Sequence, residues 1–286
     1  MVAALLAGRH MPARPPKALI VPHAGYVYSG KVAAQAYASL GSTAHALRRV
    51  LLLGPSHREW FRGLGVPTVQ AFTTPLGTVR VDTAAVSRLC ALPAVVRSDA
   101  AHALEHSIEV QLPFLQHLAP AAEIVPVVAG DASAAEVAAV IEELWDGPET
   151  LIVVSSDLSH YHSYRTAQAI DGATAQAIVE GPTDLSGEQA CGCVLVNGLT
   201  LAVRAHELRA EVLDLCNSGD TAGDKQRVVG YGAFGFFDPG EQREKDRARG
   251  RDLPLQTRRA VVCDVSAQLN TQHGNRAPVE ARYRER

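Results

Sequence analysis

The chain has 286 residues, 47% of them hydrophobic and 20% charged, with a mean hydropathy of +0.01. That size buries a full core as one large α/β domain or two small ones. Its 27 basic and 30 acidic side chains give a formal charge of -3, which argues against a nucleic-acid-binding surface, and no uncharged apolar run approaches the ~18 residues of a membrane span.

In chain order, Val2–Gly8 is apolar with no basic residue before it, so it reads as a short helix rather than a signal peptide. Ala18–Val21, ended by Pro22, is the first predicted strand, and the Ala-rich Lys31–Leu40 is a helix. Val50–Leu53 before Gly54-Pro55 is a second strand, and the alternation in Gly77–Val81 suits an antiparallel one. Leu104, Ile108, Leu112 and Leu115 recur at helical steps, predicting a helix over Leu104–Leu118 whose first turn holds Glu105, His106 and Glu109. Ile124–Val128 and Leu151–Val154 are strands on either side of a helix at Ala134–Trp145, with Ser133 as its cap. Helices at Arg165–Val179 and Val194–His206 precede antiparallel strands at Val212–Leu215 and Val228–Phe237.

Unbroken rather than alternating apolar runs suit strands covered on both faces. The expected fold is a single sandwich-like α/β domain over residues 1–239, with a mostly parallel or mixed central sheet flanked by helices. Residues 240–286 carry 11 basic and 7 acidic residues, leaving 16 and 23 in residues 1–239. They follow the breaker Asp238-Pro239-Gly240 and read as a charged, flexible tail. Five cysteines, Cys90, Cys191, Cys193, Cys216 and Cys263, are odd in number and scattered. They form no disulfide framework and point to a reducing, cytoplasmic compartment.

Three predicted strand ends carry histidine: His23 in Pro-His-Ala-Gly-Tyr, His57 in Gly-Pro-Ser-His, and His160 and His162 in Ser-Ser-Asp-Leu-Ser-His-Tyr-His, which also holds Asp157. Ligands of open α/β sheets sit outside the carboxyl ends of the strands. His23 and His57 therefore suit a divalent first-row metal ion. The third ligand is left open between the carboxylates Glu105, Glu109 and Asp157 and the thiol Cys191. A helix N-terminus beside Cys191 would lower its pKa and favour thiolate. Glu105, His106 and Glu109 read equally as helix-start acids complementing the macrodipole or as outer partners of a ligating histidine. Gly230, Gly232 and Gly235 lie inside a strand and make no nucleotide-binding fingerprint. Ser155 and Ser156 lack the elbow of a serine hydrolase.

Seven strings in one order, Pro-His-Ala-Gly-Tyr, Gly-Pro-Ser-His, Glu-His-Ser-Ile-Glu, Ser-Ser-Asp-Leu-Ser-His-Tyr, Cys-Gly, Asn-Ser-Gly-Asp and Val-Val-Gly-Tyr-Gly-Ala-Phe, run through the chain. Together they closely resemble the MEMO family, known in prokaryotes as AmmeMemoRadiSam system protein B, over about residues 17–237. The resemblance implies the architecture of the class III extradiol (LigB-like) dioxygenases, whose non-haem iron sits between two histidines and a carboxylate. It places the metal ligands on His23, His57 and Cys191, a thiolate replacing the carboxylate, and the catalytic histidine on His160; beside it, Asp157 reads as the residue that orients that imidazole. Glu105, His106 and Glu109 then form the surrounding shell. Iron or copper is the expected metal, with zinc also suited to a softer ligand set. The resemblance further implies a dioxygenase-like oxidoreductase acting on a small molecule, associated with radical-SAM and AMMECR-type proteins. The alternatives are a peptide- or partner-binding module that reuses the cleft, with Tyr26, Tyr28 and Trp60 as contacts, and a hydrolytic zinc enzyme. The chain departs from the family pattern in its short lead-in, Met1–Pro16, in Cys193, and after residue 239.

Overall fold

The computed structural model describes residues 1–9, 12 and 14–240; the expected tail lies outside the described residues, save Gly240. Four parallel strands form the centre of a nine-stranded mixed sheet: β1 (Ala18–Val21), β2 (Arg49–Pro55), β7 (Glu123–Ala129) and β8 (Thr150–Ser155), in the order β1-β8-β2-β7. Beyond β7 come β3 (Leu64–Val66), antiparallel to it, and β6 (Val95–Arg97). Beyond β1 come β11 (Val228–Phe237) and β10 (Arg209–Asn217), both running antiparallel to their neighbours, and β9 (His160–His162) pairs with the start of β11. A separate hairpin joins β4 (Ala71–Thr74) to β5 (Gly77–Arg80). The predicted antiparallel pieces near Gly77 and Val212 are both present.

Consecutive residues of a strand face opposite ways, and every residue of β1 and β8 is buried. Helices therefore cover both faces. These are α1 (Val2–Leu6), α2 (Tyr26–Ala38), α3 (Thr83–Leu89), α4 (Ala100–Ala103), α5 (Leu112–Leu118), α6 (Ala134–Glu143), α7 (Tyr164–Glu180) and α8 (Cys193–Ala205). Helix α2 packs on β1, β10 and β11 and is joined by α1 and α5, while α8 lies on β2 and β8 against α6. Ser133 caps α6 as expected, accepting from the Glu136 N–H while the Glu136 carboxylate accepts from Ser133.

Two predicted helices differ. Helix α2 starts at Tyr26, five residues before Lys31, with Gly25 at its N-cap. The expected helix over 104–118 is broken: α4 ends at Ala103, a 3-10 turn spans Glu109–Gln111, and α5 starts only at Leu112. Glu105, His106 and Glu109 thus do not share a helical first turn. The Glu105 carboxylate takes the N–H groups of His106 and Ser107, offering this backbone an alternative to helical bonding. Among the described residues no helix is long and apolar enough to cross a membrane.

Candidate metal centre

Parallel register aligns the carboxyl ends of the central strands: Val21 of β1 lies beside Ser155 of β8, and Leu53 of β2 beside Val154. His23, Asp157 and His57 each follow two residues after their own strand ends. The strand order sets the Asp157 loop between the other two. The chain returns at Cys191, just before α8, where the Cys191 N–H donates to the Asp157 carbonyl (3.2 Å) and the Gly192 N–H to Ser156 Oγ (3.0 Å). A Cβ on Gly192 would stand 2.8 Å from Ser156 Cβ, so this close approach requires glycine.

One ligand atom from each of His23, His57 and Cys191 lies within 4.8 Å of the others. His23 Nε2 is 3.4 Å from Cys191 Sγ, and the two imidazole centroids are 5.2 Å apart. A tetrahedral ion with bonds of about 2.0 Å to nitrogen and 2.3 Å to sulfur holds such donors about 3.5 Å apart, so the residues fit a metal. Both rings have their Nδ1 engaged, His23 with Ser155 Oγ (2.9 Å) and His57 with Glu105 Oε1 (3.1 Å), which leaves Nε2 for the centre. His106 extends the cluster, its ring 6.5 Å from that of His23 and 6.3 Å from that of His57.

Burial, and the neighbouring His57 imidazole after it, push His23 down to about 3, so at neutral pH it is an uncharged donor. Burial alone would raise Glu105, but hydrogen bonds from the His57 ring, the His57 N–H and the Ser107 N–H hold it well below the usual carboxylate range. Cys191 reverses the expectation of an activated thiol: burial and then the Asp157 charge push it up to about 12, overriding the end of α8. A metal dication is the field that would displace that proton.

Asp157 is buried, which raises its pKa. Its Oδ1 accepts the His23 N–H (2.8 Å), its Oδ2 lies 4.0 Å from His23 Nε2, and its own N–H points at Cys191 Sγ (3.3 Å). Asp157 thus braces His23 and Cys191, and the half-buried His160 follows it three residues later in the same loop. Next to His160, Tyr161 is exposed with φ +62° and lies under the Arg227 guanidinium.

Glu109 stands beside this cluster, and among the described residues no cation pairs with it. Burial, and also the neighbouring Glu105 charge, push it up to about 7, and its Oε2 has no hydrogen-bond partner. A cleft of about 460 Å³ opens beside His57, lined among others by Arg58, Trp60 and Asp131. Trp60 is 81% exposed there. Tyr26, by contrast, is committed to the fold, its hydroxyl on the Val110 carbonyl and its ring against Phe114. Sequence reasoning assigned no role to Ser107 or Gln111, which tie the 105–111 segment to Pro55 and Pro22. Pro113, tolerated only in a first helical turn, was the signal that α5 starts there.

The model of the Memo-like protein family matches residues 3–234. A MEMO1 family protein of Aquifex aeolicus is 35% identical over 228 residues, covering 76% of this chain and 84% of the relative. A MEMO1 family protein of Ignicoccus hospitalis is 37% identical over 235 residues, covering 76% and 81%. The crystal structure of an uncharacterized protein from Escherichia coli K12 superposes with a TM-score of 0.47 at 18% identity, covering 76% of this chain and 99% of that one.

Proposed function

The chain belongs to the Memo-like family, and from that premise we propose that it is a metal-binding protein whose ion is held by His23, His57 and Cys191. The convergence of their three ligand atoms within 4.8 Å carries the reading. Two imidazoles and a thiol suit iron or copper, and zinc as well. Bound iron or copper supplies Lewis acidity and one-electron exchange. The class III extradiol resemblance of the strand-end motifs supports dioxygenase-like oxidation of a small molecule, for which the cleft beside His57 has a fitting size.

In this reading the chain's own residues divide the work. Glu105 orients the His57 ring, and Asp157 holds the His23 backbone and the Cys191 sulfur in place. His160, the half-buried imidazole near Asp157, gives or takes a proton at the substrate. Radical-SAM and AMMECR-type proteins are the partners proposed by family association.

Elemental analysis of the purified protein tests the site. We expect about one equivalent of metal, lost in His23→Ala, His57→Ala and Cys191→Ala; metal that persists at full stoichiometry in all three would sink the assignment. The exposure of Trp60 favours a second reading, a partner-binding module in which the metal is structural. Iron- or copper-loaded protein that consumes no oxygen across a catechol panel, yet binds a defined partner less tightly as Trp60→Ala, would favour it.

A further inference from the structure

Ser155 closes β8 and is fully buried, so its hydroxyl meets no substrate. It is the centre of a hydrogen-bond chain through three parts of the fold. Its Oγ donates to the Ser107 carbonyl (2.6 Å), accepts from Gln111 Nε2 (3.0 Å), and lies 2.9 Å from His23 Nδ1. Gln111 Nε2 also donates to the Pro22 carbonyl (3.0 Å), and Gln111 Oε1 accepts from the Tyr37 hydroxyl (3.0 Å). Ser107, Gln111 and Tyr37 are fully buried and His23 is 4% exposed, so water does not substitute for any of these bonds.

Counting donors and acceptors fixes the remaining hydrogen. Carbonyl oxygens only accept. The Gln111 amide nitrogen must therefore face Pro22, and its oxygen must face Tyr37. One amide hydrogen goes to Pro22 and the other to Ser155 Oγ. Ser155 has a single hydrogen, and the Ser107 carbonyl takes it. What is left at Ser155 Oγ is one lone pair, so the bond to His23 must be donated from Nδ1.

We infer that Ser155, held by Gln111 and Tyr37, is a positioning residue that locks His23 in its Nδ1–H tautomer and presents the Nε2 lone pair to Cys191 Sγ. The value of that lone pair rests on the metal-binding reading; the tautomer itself is a property of the metal-free chain. His57 reaches the same state by a different route. Glu105 is a carboxylate held in its acceptor-only form, and needs no further residue to set its direction. A hydroxyl can both donate and accept, so His23 depends on the Ser107 carbonyl that takes the Ser155 hydrogen, where His57 depends on nothing beyond its partner.

The test uses the full metal-free chain labelled with ¹⁵N-histidine. Long-range ¹H–¹⁵N correlation spectra at pH 7.5 identify the protonated ring nitrogen, with His23 assigned by its disappearance in His23→Gln. We expect Nδ1–H at His23 in the parent and in Ser155→Thr, and a mixture of tautomers in Ser155→Ala. Zinc affinity, measured by competition with a chromophoric chelator, should fall 10- to 100-fold in Ser155→Ala and be restored in Ser155→Thr. An Nε2–H signal at His23 in the parent overturns the inference without any variant, and so does an unchanged Nδ1–H signal in Ser155→Ala. A parent with the expected tautomer that binds no zinc overturns the metal reading and leaves the tautomer assignment standing.

Discussion

Glu105 accepts four hydrogen bonds, from the His57 ring and from the N–H groups of His57, His106 and Ser107. Its side chain is 2% exposed. In Glu105→Gln an NH₂ group must face one of those donors, so a buried N–H loses its partner. The expected cost is about 2–3 kcal/mol in urea unfolding, together with a metal affinity lowered 10- to 100-fold in a chelator competition. Glu109 makes the opposite case. Its folded pKa of about 7 lies above its ordinary value, so stability is full at acid pH and falls as pH rises from about 4.5 to 7, where the unfolded chain ionises and the folded chain resists. Glu109→Gln removes that loss. The variant should match the parent at pH 4 and exceed it at pH 8 by about 1–2 kcal/mol, allowing for the water that still reaches the group. Equal increments at both pH values, in thermal unfolding, would count against the assignment. Such pairings are hard to read from a sequence: Glu105 and His57 are 48 positions apart, and only the fold says which acid meets which imidazole.

At the scale of elements, the runs at β1, β2, β7, β8 and β11 were legible because burial on both faces leaves an unbroken apolar string. The three-residue strands β3, β6 and β9 were not, since three residues carry no period. Leu104–Leu118 misled for a definable reason. Its leucine spacing is helical, but the Glu105 side chain bonds its own following backbone, and Pro113 marks a fresh start. Close packing of α8 on α6 also rests on one position: a Cβ on Gly198 would stand 2.4 Å from Val137 Cγ1 and 2.9 Å from the Ala134 carbonyl. Gly198→Ala should therefore force the two helices apart and cost about 1–3 kcal/mol. Denaturant midpoints would show it, and an unchanged midpoint would mean that α8 shifts freely.

For the whole molecule, the charge balance is uneven, with 16 basic and 23 acidic residues in residues 1–239. An acidic body draws cations toward the cleft. The rate of zinc entry, followed by stopped flow against a chelator, should fall as ionic strength rises from about 0.01 to 0.15 M and the Debye length shrinks from about 30 to 8 Å. A rate indifferent to salt would confine the attraction to groups inside the cleft. The positions of His23, His57 and Asp157 were legible at this scale because parallel strands deliver their ends to one rim. Cys191 carried a weaker signal, its place ahead of a predicted helix, and only family resemblance chose it over Glu105, Glu109 and Asp157.

The direction of β11 has a practical meaning. Val229 sits opposite His160, whereas Phe236 sits opposite Ala18 at the start of β1. Seven residues of strand separate the two, about 24 Å. The Lys17 N–H donates to the Phe236 carbonyl, and Arg14 reaches the Asp238 carbonyl beside it. The lead-in to the first strand and the exit from the last therefore leave together, on the rim away from His23. A dye or surface tether attached at Gly240 would start on the rim away from His23, His57 and Cys191.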